Sequence, residues 1–324
     1  MPFAMLAPRP GNADALIKTG IDLLAPAPGE VQIRHAAIGL NFLDVYYRSG
    51  AYPWPVEKDL IVGSEAAGVV ERLGSDVVDF TVGDRVAYTM PTGAYASHRN
   101  ISQNVLVKVP DGIRDEDAAS SLLKGLTAYY LLHESFKVEP GHTVLFHAAA
   151  GGVGSIAGQW LSSLGATAIG TARGVAKCEA ARGSGFQHVI DYGSEDFVDR
   201  VKQITGGLGV DAVFDSVGAD TYPGSLKCLK PFGRLICFGQ SSGPIKNFAI
   251  SDLAAGSFSV TRPVLFHYTR DRAWLEKAAD ALFGMILKEE IGRFAGETFP
   301  LERVGEAHRK LERREITGSV VLIP

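Results

Sequence analysis

The spacing of hydrophobic and polar positions changes character twice along the chain. Up to about residue 125, apolar residues come in short runs such as Val31–Ile38, Ala66–Leu73 and Arg85–Tyr88. Gly and Pro turns separate them, which is the pattern of a β-rich zone. From there to residue 262, strand and helix patterns alternate. Thr143–His147 is a short apolar strand. Val153, Ile156, Ala157, Trp160, Leu161 and Leu164 then fall on one helical face, and Gly165 ends that helix. Ala168–Thr171, Val189–Asp191, Ala212–Phe214 and Arg234–Phe238 predict further strands. Val175–Arg182, Glu195–Ile204 and Tyr222–Leu229 predict the helices between them. Strands joined by crossover helices form a parallel, doubly wound sheet of one hand. The carboxyl-terminal stretch predicts two helices and a last strand, Ser319–Ile323.

Thr143–Ala172 contains no Asp, Glu, Lys or Arg. It is broken by six glycines, whereas a spanning helix needs about 20 mainly apolar residues in one run. A buried strand followed by a helix accounts for it, and no membrane segment is expected. The amino terminus, MPFAMLAPRPGNAD, lacks the basic start and apolar core of a secretory signal.

Composition narrows the function classes. The chain has 324 residues, 46% hydrophobic and 21% charged, which suits an ordinary globular protein of about two domains. Its net charge of −4 gives no basic field for nucleic acid or an anionic membrane. Cys178, Cys228 and Cys237 are too few and too scattered for a disulfide framework or a cysteine zinc site. A reducing compartment, the cytoplasm, is expected. There is no G-x-S-x-G elbow for a hydrolase. His142 and His147 flank a strand without sharing a face, and Cys237 sits in an apolar strand. All three are expected to be structural. His308, Arg309, Lys310, Arg313 and Arg314 alternate with Glu306, Glu312 and Glu315, the pattern of a solvated helix.

The chemistry points to a dinucleotide. Between the first strand of the alternating zone and its helix lies Ala148-Ala149-Ala150-Gly151-Gly152-Val153-Gly154. Ala148, Gly151 and Gly154 take the three glycine positions of G-x-G-x-x-G. A small residue permits the turn, and Gly151 and Gly152 let backbone amides approach a pyrophosphate. Gly154 lets helix and strand pack closely. The loop is weak evidence alone and strong in this strand–helix setting. An acid at the end of the next strand would hold the 2′-hydroxyl of NAD. Here that end reads Thr171-Ala172-Arg173-Gly174-Val175-Ala176-Lys177. Two cations and no acid favour the 2′-phosphate of NADPH. Tyr192, Ser216, Phe238, Gly239 and Ser241 follow other strand ends and face the same crevice.

These residues, with several in the first zone, resemble the zinc-free quinone oxidoreductases of the medium-chain dehydrogenase/reductase superfamily, which include zeta-crystallin and bacterial NADPH:quinone reductases. The matching runs include Ala37–Asp44, Arg48–Pro53, Gly63–Val70, Val82–Val86, Leu123–Tyr130, His147–Gly154, Asp215–Gly218 and Thr261–Pro263. The resemblance implies a Rossmann domain, 126–262, inserted in a GroES-like β-rich catalytic domain formed by 1–125 and 263–324. It implies a cofactor in the cleft between them and a homodimer joined through the Rossmann domains. By family position, Asn41, Phe42, Asp44, Thr127 and Tyr129 line the nicotinamide half. Gly152, Val153, Lys177, Tyr192, Ser216, Phe238, Ser241 and Arg314 hold the rest.

Two positions depart from the family. Gly174 stands where relatives often carry Ser or Thr, and Ser319 replaces a common Lys. The superfamily's zinc alcohol dehydrogenases need a Cys near the place of Asn41 and a His where Ser64 stands in Gly63-Ser64-Glu65, so no metal is expected.

A quinone is already electrophilic, so its reduction needs alignment and a hydrogen bond to the developing oxyanion. Asn41, Tyr46, Tyr52 and Arg262 are candidates for positioning or polarising it. Asp44 could accept from a cofactor ribose, tune a neighbouring donor or serve only the turn. Tyr46 and Tyr52 could equally be packing residues. The expected activity is NADPH-dependent quinone reduction. An enal or enone double-bond reductase is the second enzyme class. A crystallin-like NADPH binder, or a binder of AU-rich RNA, is the non-enzyme alternative.

Overall fold

The computed structural model describes residues 1–292 and 296–324. In chain order the elements begin with β1 (Phe3–Ala7), β2 (Ile17–Gly20), β3 (Glu30–Gly39), α1 (Phe42–Ser49), β4 (Leu60–Ile61) and β5 (Glu65–Leu73). Then come β6 (Arg85–Thr89), β7 (His98–Ser102), β8 (Leu106–Lys108) and α2 (Asp115–Tyr130). The alternating zone holds β9 (Thr143–Phe146), α3 (Gly152–Ser163), β10 (Thr167–Ala172), α4 (Val175–Gly183), β11 (His188–Asp191) and α5 (Phe197–Ile204). It continues with β12 (Val210–Asp215), α6 (Tyr222–Cys228), β13 (Leu229–Cys237), β14 (Ser259–Thr261) and α7 (Leu265–Tyr268). The tail adds α8 (Arg272–Leu287), β15 (Glu297–Pro300), α9 (Val304–Glu312) and β16 (Val320–Ile323). The chain divides into two compact units, Met1–Leu123 with Thr269–Pro324, and Lys124–Tyr268.

The first unit is built on a sheet ordered β15-β16-β3-β5-β6-β8, with β7 also on β3. A smaller sheet, β2-β1-β4, lies beside it in the same unit. The core collects alternating residues of β3 and β5 with the tail, including Ile33, Ile38, Val70, Phe299, Val304 and Leu322. Gly39 pairs with Glu65 across β3 and β5. A Cβ at Gly39 would lie 2.0 Å from the Ala119 carbonyl and 2.6 Å from Glu65 Oε2. Only glycine lets the strand end come that close.

The second unit carries the expected doubly wound sheet, ordered β11-β10-β9-β12-β13-β14. Every pairing in it is parallel. The order turns back between β9 and β12, and the carboxyl ends of strands at such a point form a ligand crevice. Leu145, Ile169, Val213 and Leu235 fill the core on one face.

Three local differences have physical reasons. α5 starts at Phe197 because Asp196 caps it, accepting from the amides of Val198 and Asp199 at 2.8 and 3.0 Å. β14 is three residues long, too short to show alternation. α2 is buried all round from Ala118 to Tyr130, so it shows no one-sided stripe. Among the described residues, no helix is long and apolar enough to cross a membrane.

Candidate functional site

In the second unit the candidates gather at the carboxyl ends of the strands. After β9, Gly151 caps α3 without any side-chain bond, so the first amides of the helix meet no capping oxygen. Ala148 turns the loop in a left-handed conformation, φ 56°. A Cβ at Gly154 would lie 2.5 Å from the Ala149 carbonyl oxygen. At Gly152 it would lie 2.7 Å from the Lys124 side chain, which is buried beneath the loop. The glycines therefore let the amide-bearing turn fold back on its own loop and pack against α2.

After β10, Arg173 is exposed and Gly174 takes φ 82°. The acid nearest this turn is Asp191 at the end of β11. Its Oδ1 accepts from the amides of Gly174 and Gly193 at 3.0 and 2.9 Å. These two donors, with Arg173 nearby, hold its carboxyl below the usual range. Asp191 thus braces the turn that presents Arg173. Lys177 follows in the first turn of α4, and Tyr192 is 44% exposed just past Asp191.

After β12, Asp215 is fully buried and ties down the next turn. It accepts from the Val217 and Gly218 amides at 2.8 and 3.0 Å and from the hydroxyls of Thr221 and Ser225. Ser225 in turn meets His147 Nε2 at 3.0 Å, and His147 Nδ1 meets Thr171 at 3.0 Å. Burial lowers the His147 pKa, so this imidazole is a satisfied core group. Ser216 is fixed by the turn. A Cβ at Gly239 would lie 2.5 Å from the Ser216 carbonyl oxygen, and the Ser241 amide donates to that oxygen at 3.2 Å. Arg262 is bound to the Cys237 carbonyl at 3.2 Å, beside Phe238. Thr127 is buried on α2. Tyr129 is also buried there, with its ring 5.7 Å from Trp160 of α3. Cys237 is buried, and its thiol is pushed up to about 12.

In the first unit, Asn41 ends the β3 connection and caps α1. Its amide donates to Asp44 Oδ2 at 2.9 Å, three residues on, as one half of a capping box does. Its side-chain Nδ2 donates to Glu65 Oε2 at 2.8 Å. Glu65 Oε1 accepts from the Leu123 amide at 2.6 Å. Asp44 Oδ1 accepts from Ser64 at 2.7 Å, and Oδ2 accepts from Tyr95 at 3.0 Å. Burial pushes the Asp44 pKa up to about 6, against the pull of those donors. Phe42, Tyr46 and Tyr52 form a half-buried ring cluster, with centroids 5.4 and 5.1 Å apart. Arg314 lies just past α9 in a left-handed conformation.

One expectation about the tail is corrected. His308 is not on a solvated face but fully buried, bonded to Tyr95 and Arg48. It follows Ala307 on the face of α9 that enters the core, whereas Arg309 and Lys310 remain at the surface in ion pairs. Ser319, where a Lys was the family pattern, is buried and donates to the Ser120 carbonyl at 3.2 Å. Ser64, Glu65 and Tyr95 were not singled out as site residues from the sequence. The Asn41–Asp44 spacing was the one local sign of this network.

The description "Alcohol dehydrogenase GroES-like domain" matches residues 27–111, and "Zinc-binding dehydrogenase" matches 152–281. A quinone oxidoreductase of Pseudomonas aeruginosa is 46% identical, over 92% of each chain. A 2-haloacrylate reductase of Burkholderia is 42% identical, over 100% of this chain and 99% of its own. The crystal structure of Escherichia coli quinone oxidoreductase complexed with NADPH superposes with a TM-score of 0.97 at 42% identity, covering 99% of this chain and 100% of that one.

The chain belongs to the quinone oxidoreductase family. It is an oxidoreductase of the medium-chain dehydrogenase/reductase type, with the α/β fold described above. The zinc in one matching description has no counterpart among the described residues. None of their His, Cys, Asp and Glu side chains cluster in threes fit for a metal. At the places where the zinc enzymes carry ligands, this chain has the Asn41 amide and the Ser64 hydroxyl. Both already donate to carboxylates.

Proposed function

We propose that the protein binds NADPH and reduces a small electron-poor acceptor, a quinone first. The observation that carries this is the strand-end crest of the second unit. The bare amino end of α3 suits a pyrophosphate. Arg173 suits a 2′-phosphate, and Asp191, whose carboxylate holds this turn, is already engaged by two amides. The NADPH complex of the Escherichia coli relative supports the same choice. NADPH when bound supplies the hydride or electrons.

The chain's own residues bind and orient. Gly151, Gly152 and Val153 offer amides, and Arg173 and Lys177 offer charge. Tyr192, Ser216, Phe238, Gly239 and Ser241 complete the crest, with Thr127 and Tyr129 from α2. We assign Asn41, Tyr46, Tyr52 and Arg262 to acceptor positioning, with Phe42 packed beside Tyr46. Asp44, fully buried, holds Asn41.

The Burkholderia relative favours activated alkenes as a second acceptor class. We also infer a homodimer through the second unit. Among the described residues β14 pairs only with β13, and Phe232 and Ile250 are 82% and 81% exposed. NADPH oxidation should be followed with an ortho-quinone, a para-quinone, an enone and 2-chloroacrylate, with NADH as comparator. Turnover of quinones with preference for NADPH supports the proposal. Alkene-only turnover moves the function to double-bond reduction, and tight NADPH binding without turnover argues for a binding role.

A further inference from the structure

Asp44 is the inner end of a hydrogen-bonded line that crosses the first unit. Tyr95 Oη, which donates to Asp44, lies 2.8 Å from His308 Nε2. His308 Nδ1 lies 2.9 Å from Arg48 Nη1. The Arg48 guanidinium also grips Glu312 at the surface, at 2.7 and 3.0 Å. Arg48, Tyr95, Asp44 and His308 have almost no exposed surface.

The direction of the line follows from its outer end. A guanidinium has donors only. His308 Nδ1 must therefore accept, so its one hydrogen sits on Nε2 and is given to Tyr95. Tyr95 then keeps its own hydrogen for Asp44. Each hydrogen in the line points inward, towards the carboxylate.

We propose that Arg48, His308 and Tyr95 are positioning residues that hold Asp44 ionised and thereby fix Asn41 for the acceptor. The role for Asn41 rests on the function proposed above. A proton on Asp44 Oδ2 would force Tyr95 to turn its hydrogen to His308. That needs the other imidazole tautomer, which would set a second N–H against Arg48. The line resists that change, and no such resistance is needed merely to pack α1 on α9.

The surroundings act both ways. Burial and the charge of Glu65 on β5 push Asp44 up, while Ser64, the Asn41 amide and Tyr95 pull it down. Tyr88 from β6 and Tyr47 from α1 also face its charge. Burial and Arg48 lower His308 to about 3, so it stays neutral and the line keeps its direction at neutral pH.

The test measures Asp44 in the ligand-free full chain. Infrared difference spectra taken across pH show the carboxylic acid band that D44N removes. Y95F deletes one donor and keeps the ring, and should raise the midpoint by about one pH unit. H308L should do the same. H308Q can accept from Arg48 and donate to Tyr95, so it should stay near the parent value. E312Q, at the exposed end, should change nothing.

The acid limb of kcat/KM for a quinone should follow the infrared midpoints. Equal midpoints in Y95F, H308L and the parent, with only thermal stability lowered, would overturn the proposal. So would an H308Q midpoint matching H308L. If Y95F does not fold, the H308Q–H308L pair decides alone. Absence of NADPH turnover in the parent would sink the functional assignment, while the infrared midpoints would still decide the line.

Discussion

Adding one methyl group at Gly154 tests the phosphate-binding role of α3 most directly. In G154A the new Cβ would lie 2.5 Å from the Ala149 carbonyl oxygen, 2.6 Å from that of Ala148 and 2.8 Å from the Ala149 carbonyl carbon. Ordinary contact begins at 3.4 Å, so about 0.9 Å must be found. All three atoms are backbone of the loop that leads into the helix, and no side chain can swing aside. A donor 2.9 Å from a phosphate oxygen that retreats by this much no longer makes a hydrogen bond. Losing one or two charge-assisted bonds costs about 3 kcal/mol, roughly 100-fold in NADPH affinity. Overpacking should also lower folding stability by about 1–3 kcal/mol. Calorimetric titration with NADPH and urea unfolding read the two effects separately. G284A is the control. Its Cβ meets nothing within 4 Å, so affinity should hold and stability should rise by about 1 kcal/mol. Unchanged NADPH affinity in a folded G154A would refute the placement of the pyrophosphate at α3.

R173A should lose about 10- to 100-fold of NADPH affinity and leave NADH affinity nearly unchanged, as competition binding would show. Equal losses for both would remove the 2′-phosphate role. Stability should fall on acidification from pH 7 to 5. His35 and His308 are held near 3 when folded against 6.5 when unfolded, so the unfolded chain takes up protons first, and each histidine costs about 2 kcal/mol by pH 5. Asp44 has the opposite sign. Its folded value near 6 exceeds the unfolded 3.8, so it returns about 1 kcal/mol over the same range. Urea midpoints at the two pH values check the balance, and a flat profile would contradict it. Cys178, Cys228 and Cys237 are buried, with the last two pushed up to about 12, so iodoacetamide should label them only after unfolding. Rapid native labelling would show that the strands carrying them open easily.

The second unit was legible because its information is local. Each strand, turn and helix from Thr143 to Cys237 declares itself within a dozen residues, and the parallel order follows from the crossovers. The glycine loop and the bare end of β10 are likewise readable in place. The network around Asp44 is different. Its capping half, Asn41 with Asp44, has a spacing that a sequence can show. Tyr95 reaches that carboxylate from 51 positions away and His308 reaches Tyr95 from 213 further on, and nothing in their neighbourhoods announces it. His308 even sits among charged residues, so the composition of α9 pointed outward while its core-facing side turned inward. α2 was hidden for the converse reason, being buried all round.

The sheet of the first unit is closed by the last strand. β16 pairs with both β3 and β15, placing Val321 against Gly39 and Val320 against Glu297. The Ile38–Gly39 end of β3, beyond the stretch that β7 covers, therefore stays open until Val320–Ile323 is made. Arg48 waits as long for Glu312, and Tyr95 for His308. On the ribosome, the second unit has all its strands available well before the first can seal. A chain stopped short of Val320 leaves an unpaired strand edge and an apolar core without its final layer, which is a template for aggregation. The Val320–Ile323 strand thus governs whether the sheet begun by the amino-terminal segment can be completed.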